Sequence, residues 1–126
     1  MTSSAFLILT RRYGGDTRDP SNENLANAIR ELFVEDLPGM IEDDYAEHGA
    51  ASLRYGWDEG PMFVVRVDRR GTVTFEEWAD QDYEHELAPP RTLRVRFQGE
   101  ALQLWALLAS GDVNDVRHFG WDPLGA

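Results

Sequence analysis

The sequence predicts an α+β fold: a single antiparallel sheet of about five to six strands with two helices packed on one face. Three observations predict it. Between Leu53 and Phe97 apolar and polar residues alternate, the pattern of strands covered on one side only. Two other stretches, one holding Leu25 to Phe33 and one holding Ala101 to Leu108, repeat at helical spacing. The chain of 126 residues is the size of one folding unit, taken as one domain over residues 1–126. Such a chain buries roughly two-thirds of its unfolded surface.

In chain order, the run AFLILT at residues 5–10 reads as a first, largely buried strand, and residues 11–18 as a polar loop around Gly14, Gly15 and Asp16. A helix starts at Asp19-Pro20-Ser21, where Asp19 or Ser21 can cap free amides and Pro20 suits the first turn. Its apolar stripe is Leu25, Ala28, Ile29, Leu32 and Phe33, and Pro38-Gly39 ends it at the latest. Residues 40–50 open as either a short helix or a solvated loop. Leu53, Tyr55 and Trp57 then mark a strand, with turns at residues 58–61 and 69–71 separating it from Phe63, Val65, Val67 and from Val73, Phe75. Residues 83–87 and 93–97 make the next expected pair, around a loop holding Pro89 and Pro90, neither of which can donate a ladder hydrogen bond. A second helix carries Ala101, Leu102, Trp105 and Leu108 inward and stops at Ser110-Gly111. Residues 113–119 suggest a short final strand, and Trp121 tacks down the tail.

Composition narrows the function. Cysteine is absent, which removes disulfides, thiolate metal sites and cysteine nucleophiles. No apolar run approaches the length of a membrane span, and the apolar stretch from Ala5 to Leu9 is too short for a secretory signal, so a cytoplasmic location is expected. There are 23 acidic residues against 12 basic ones, all of them arginine, for a formal net charge of −11. A phosphate backbone or an anionic membrane repels such a surface, whereas a basic protein is steered toward it.

The most informative stretch is EEWADQDYEHEL at residues 76–87. If its second half is extended, Asp80, Asp82, Glu84 and Glu86 share one face. Arg54, Arg66, Arg94 and Arg96 on neighbouring strands could answer them by cross-strand pairing. Otherwise an external basic partner does, with Trp78 and Tyr83 as aromatic anchors. Twelve arginines do not balance 23 acids, so for the whole patch, including Glu42, Asp43, Asp44 and Glu47, a partner is preferred. The residues expected to bind it are Asp43, Asp44, Trp78, Asp80, Asp82 and Glu84. No metal is expected: Asp80, Asp82, Glu84, His85 and Glu86 offer ligand atoms but match no calcium-loop or zinc spacing, and His85 would point away from the acids of an extended strand. Nor is catalysis expected. The serines form no nucleophile elbow, and His48, His85 and His118 have no partner legible in the sequence. No cofactor is called for, since Gly14-Gly15 lacks the spacing and the lysine of a phosphate loop. Trp105 and Trp57 are expected in the core, and Trp78, of opposite parity to Val73 and Phe75, partly exposed.

From Leu53 to Trp121 the chain resembles the small immunity proteins of bacterial polymorphic-toxin systems, in particular the Imm1-type group. The likeness rests on Tyr55-Gly56-Trp57, Gly60-Pro61, the alternating strands, a late helix from Glu100 to Leu108, Ser110-Gly111, and Val116 leading to Trp121. It implies a non-enzymatic inhibitor that occludes a cognate protein toxin with a basic surface, nuclease- or deaminase-like, without binding nucleic acid or membrane itself. The competing expectations are an acidic nucleic-acid mimic or counter-defence factor, a small metal-dependent hydrolase using His85 and nearby carboxylates, and a small-ligand module between sheet and helices.

Overall fold

A computed structural model describes residues 5–12, 15–34, 50–57, 60–80 and 82–122. Its strands are β1 (Ala5–Thr10), β2 (Asp16–Arg18), β3 (Ala50–Trp57), β4 (Met62–Asp68), β5 (Thr72–Trp78) and β6 (Glu86–Arg94). They form one six-stranded sheet in the order β2-β1-β3-β4-β5-β6. Every neighbouring pair is antiparallel. The helices are α1 (Asn22–Val34), α2 (Gln98–Ala109) and the short α3 (Val113–Arg117). The α+β class expected from the alternation and the two stripes is the one observed.

Strand register sorts the core. Leu9, Leu53, Val65 and Phe75 face one another across four strands, as do Ala51, Val67, Val73 and Leu93. Both rows are buried, and they join Leu25, Ala28, Ile29 and Leu32 of α1 and Ala101, Leu104, Trp105 and Leu108 of α2 in one cluster. Trp105 is fully buried, and its indole N–H donates to the Val65 carbonyl at 3.0 Å, so the largest core side chain leaves no polar atom unpaired. β4 departs from one-sided alternation. Met62 and Val64, on the face away from the core cluster, are also buried, so the centre of the sheet is covered on both sides.

Local chemistry explains the helix ends. Ser21 caps α1: the Asn24 N–H donates to Ser21 Oγ at 3.1 Å, and the Ser21 N–H donates to Asn24 Oδ1 at 2.9 Å, a reciprocal box. α2 closes in a Schellman turn. The Asp112 N–H donates to the Leu107 carbonyl and the Gly111 N–H to that of Leu108, both at 3.0 Å. Gly111 sits at φ 77°, where a side chain is strained. Gly56 is required for a different reason, since a Cβ there would meet the Pro61 carbonyl oxygen at 2.7 Å.

Five expectations are corrected. Residues 16–18 are not loop but the edge strand β2, whose three residues are too few and too polar to show alternation; Thr10 Oγ1 donates to Asp16 Oδ1 at 2.7 Å across the hairpin. Pro89 and Pro90 do not divide two strands: β6 runs through both, because they sit on an edge strand and at a bulge, the two of them opposite the single residue Glu76 between the Phe75–Arg91 and Glu77–Ala88 pairs. Residues 113–117 are helical, with Val116 buried and Val113 packed against the core. Trp57 is 37% exposed, because β3 carries it to the end of the sheet, where it meets Tyr55 edge-on at 6.2 Å. Finally, Asp80 and residues 82–85 do not extend as a strand. Trp121 does anchor the tail, stacked on Phe75 at 5.6 Å with its indole N–H on the Val116 carbonyl at 2.7 Å.

Candidate functional site

The site is built where β5 ends and the chain folds back into β6. Along β5, Val73 and Phe75 turn to the helices, so Trp78 takes the opposite face, half-buried, with its indole N–H on Glu76 Oε1 at 3.1 Å. The partial exposure expected from its parity is observed. Beyond it the chain turns back, and the Ala79 N–H donates to the His85 carbonyl at 2.8 Å. Inside this loop Asp80 Oδ1 accepts the N–H groups of Asp82 at 3.0 Å and Glu84 at 3.1 Å, and Oδ2 lies 3.0 Å from His85 Nδ1. The loop is therefore wound around one carboxylate. These bonds, the Glu84 amide foremost and then His85, hold the Asp80 carboxyl below its ordinary value of 3.8. Their contribution is complete above that value and is lost as the pH falls through the lower folded one.

Because the described residues from Asp80 to His85 leave the strand, the carboxylates do not form one ladder. Asp82, Glu84 and Glu86 are exposed and carry no ion pair among the described residues. The arginines expected to answer them answer others: Arg54 meets Asp16 at 3.6 Å, Arg66 meets Glu76 at 4.0 Å, and Arg96 meets Glu100 at 3.5 Å. Arg94 pairs in register with Thr72, at the other end of β5. Arg69 and Arg70 lie in the turn at that same far end. The seven residues of β5 put about 20 Å between the two ends at ~3.4 Å per residue. That is well past a Debye length of about 8 Å at physiological salt. At that distance the far-end arginines do not screen these acids, and the nearer Arg66, Arg91 and Arg117 are taken by Glu76 and Glu77.

Aromatic and aliphatic surface adjoins these acids. Tyr83 is 42% exposed and meets Trp78 edge-on at 5.1 Å; Leu87 is 55% exposed. Trp57 lies at the same end of the sheet, since Gly56, Met62 and Trp78 are successive register partners. Trp78, Asp80, Asp82 and Glu84 are thus brought together, whereas Asp43 and Asp44, with Glu42 and Glu47, lie outside the described residues.

Two features escape a reading of the sequence. His85 does have a partner, Asp80, because the loop turns its ring back on the acids that a strand would have placed on the opposite face. With Glu84 these form a group whose potential ligand atoms lie within 4.8 Å of one another. The second is Glu77, buried on the helix side opposite Phe63. Its Oε1 accepts from Arg117 Nε at 2.8 Å, and Arg91 approaches Oε2 at 4.0 Å. The signal was its parity with Val73 and Phe75, which places a glutamate in an inward row. No family model, characterised protein or solved structure matches the chain.

Proposed function

We propose that the chain is a non-enzymatic inhibitor that binds a basic protein partner through the β5–β6 loop and blocks that partner's working surface. One observation carries the reading: Asp82, Glu84 and Glu86 are exposed with no ion pair among the described residues, beside exposed Tyr83 and Leu87. Unanswered carboxylates repel one another, and an approaching guanidinium or ammonium relieves that repulsion while the aromatic and aliphatic groups lose water. The net charge of −11 steers such a partner in and turns nucleic acid away. No helix among the described residues is long and apolar enough to cross a membrane. The resemblance to immunity proteins supplies the partner's class, a bacterial toxin of nuclease or deaminase type met in the cytoplasm, and occlusion is then the whole mechanism.

The test is titration with the candidate toxin encoded beside this chain in its host genome, at low and physiological salt. Affinity is expected to fall steeply with salt, and by about tenfold or more when Asp82→Asn, Glu84→Gln and Glu86→Gln are combined. Equal affinity of the parent and the triple variant contradicts the reading. An acidic nucleic-acid mimic would use the same surface, and displacement of DNA from a DNA-binding protein identifies that case. The grouping of Asp80, Glu84 and His85 favours one reading of another class, a metal-dependent hydrolase. Equilibrium dialysis against zinc and manganese decides it, with stoichiometric metal supporting the hydrolase.

A further inference from the structure

The geometry points to Asp80 as a positioning residue: it holds the β5–β6 loop in the form that presents Asp82, Tyr83 and Glu84, and its own charge is not what the partner reads. This rests on the binding role proposed for the loop. Asp80 Oδ1 is occupied by the amides of Asp82 and Glu84, at 3.0 and 3.1 Å, and Oδ2 by His85 Nδ1 at 3.0 Å. A carboxylate already answered by three donors of its own loop attracts an incoming cation far less than the unpaired Asp82 and Glu84 do. Between the two tethered amides stands Tyr83 at φ 58°, a left-handed conformation that a bulky residue keeps only when its neighbours over-determine it. The tethers on either side, and the Trp78 ring at 5.1 Å, supply that constraint. Asp80 therefore acts through the backbone it holds.

Position and charge separate in two substitutions. Asparagine keeps an oxygen where Oδ1 accepts both amides and removes the charge; alanine removes oxygen and charge together. The experiment takes the full chain and follows amide hydrogen exchange by NMR. In parallel it measures binding of an arginine-rich peptide by fluorescence anisotropy. Asp80→Asn is expected to keep the Asp82 and Glu84 amides protected and to hold peptide affinity within about twofold. Asp80→Ala is expected to lose protection at both amides and about tenfold in affinity, while amides paired across β3, β4 and β5 stay protected. The pair Asp82→Asn with Glu84→Gln should keep protection and lose affinity. Protection surviving in Asp80→Ala, or Asp80→Asn weakening the peptide as much as Asp80→Ala does, overturns the inference. A peptide that does not bind the parent chain counts against the binding role itself. In that case the exchange of Asp82 and Glu84 in the alanine variant still decides whether Asp80 holds the loop.

Discussion

Glu77 and Asp80, three residues apart, spend their charge differently. Glu77 is buried and shared between Arg91 and Arg117, and Arg91 Nη1 also donates to the Arg117 carbonyl at 3.1 Å. The cluster ties β5, β6 and α3 together. Removing one partner of a buried ion pair costs about 3–5 kcal/mol. Both guanidiniums are about one-third exposed here, so water recovers part of that, and Glu77→Ala is expected to cost about 1–3 kcal/mol. Urea denaturation measures it; an unchanged midpoint would show that the cluster contributes nothing. None of this was legible as function in the sequence, because a glutamate in an inward row announces only that something must answer it. The acids of the loop were legible as chemistry but not as geometry. Which of them is used internally depends on a turn held by side-chain-to-backbone bonds, and such bonds leave no periodic trace.

Among the elements, those defined by repeated burial were readable and those defined by a few polar bonds were not. α1 and α2 show their stripes because each lays one face on the same sheet. β3 and β5 show period two for the same reason, whereas β4 is buried on both faces at its start. β2 is three polar residues at an edge, and α3 is a single turn and a half following the Schellman turn, so neither is long enough for a period to declare itself. β6 misleads for another reason: Pro89 and Pro90 look like a break, yet on an edge they blunt the strand against pairing with another chain. Farther along, the Thr92 carbonyl is taken by the Asp122 N–H at 2.9 Å. Replacing both prolines with valine should therefore leave the fold intact and raise the apparent mass in sedimentation as edges pair. Sedimentation matching the parent chain at the same concentration would show that the prolines have no such protective role.

Across the whole molecule the charges are distributed along the strand direction. Arg69, Arg70, Arg94 and Arg96 gather where β4 turns into β5 and where β6 ends; Asp82, Glu84 and Glu86 gather at the opposite end with Tyr83 and Leu87. Other exposed acids, such as Asp19 and Glu23 before and in α1 and Asp112 and Asp115 around α3, stand on other elements. The surplus is therefore only partly collected, and the loop stands out by its neighbours more than by its count of acids. What recommends it as the proposed partner surface is acids with no ion pair among the described residues beside exposed apolar area, about 20 Å along the strand axis from the far-end arginines. The direct measurement is amide chemical-shift mapping of the full chain as the proposed basic partner is added. The account predicts the largest shifts at residues 78–87 and at Trp57, with the turn at Arg69 and Arg70 unmoved. Shifts centred on α3 or on the arginine end, with residues 82–86 silent, would contradict it.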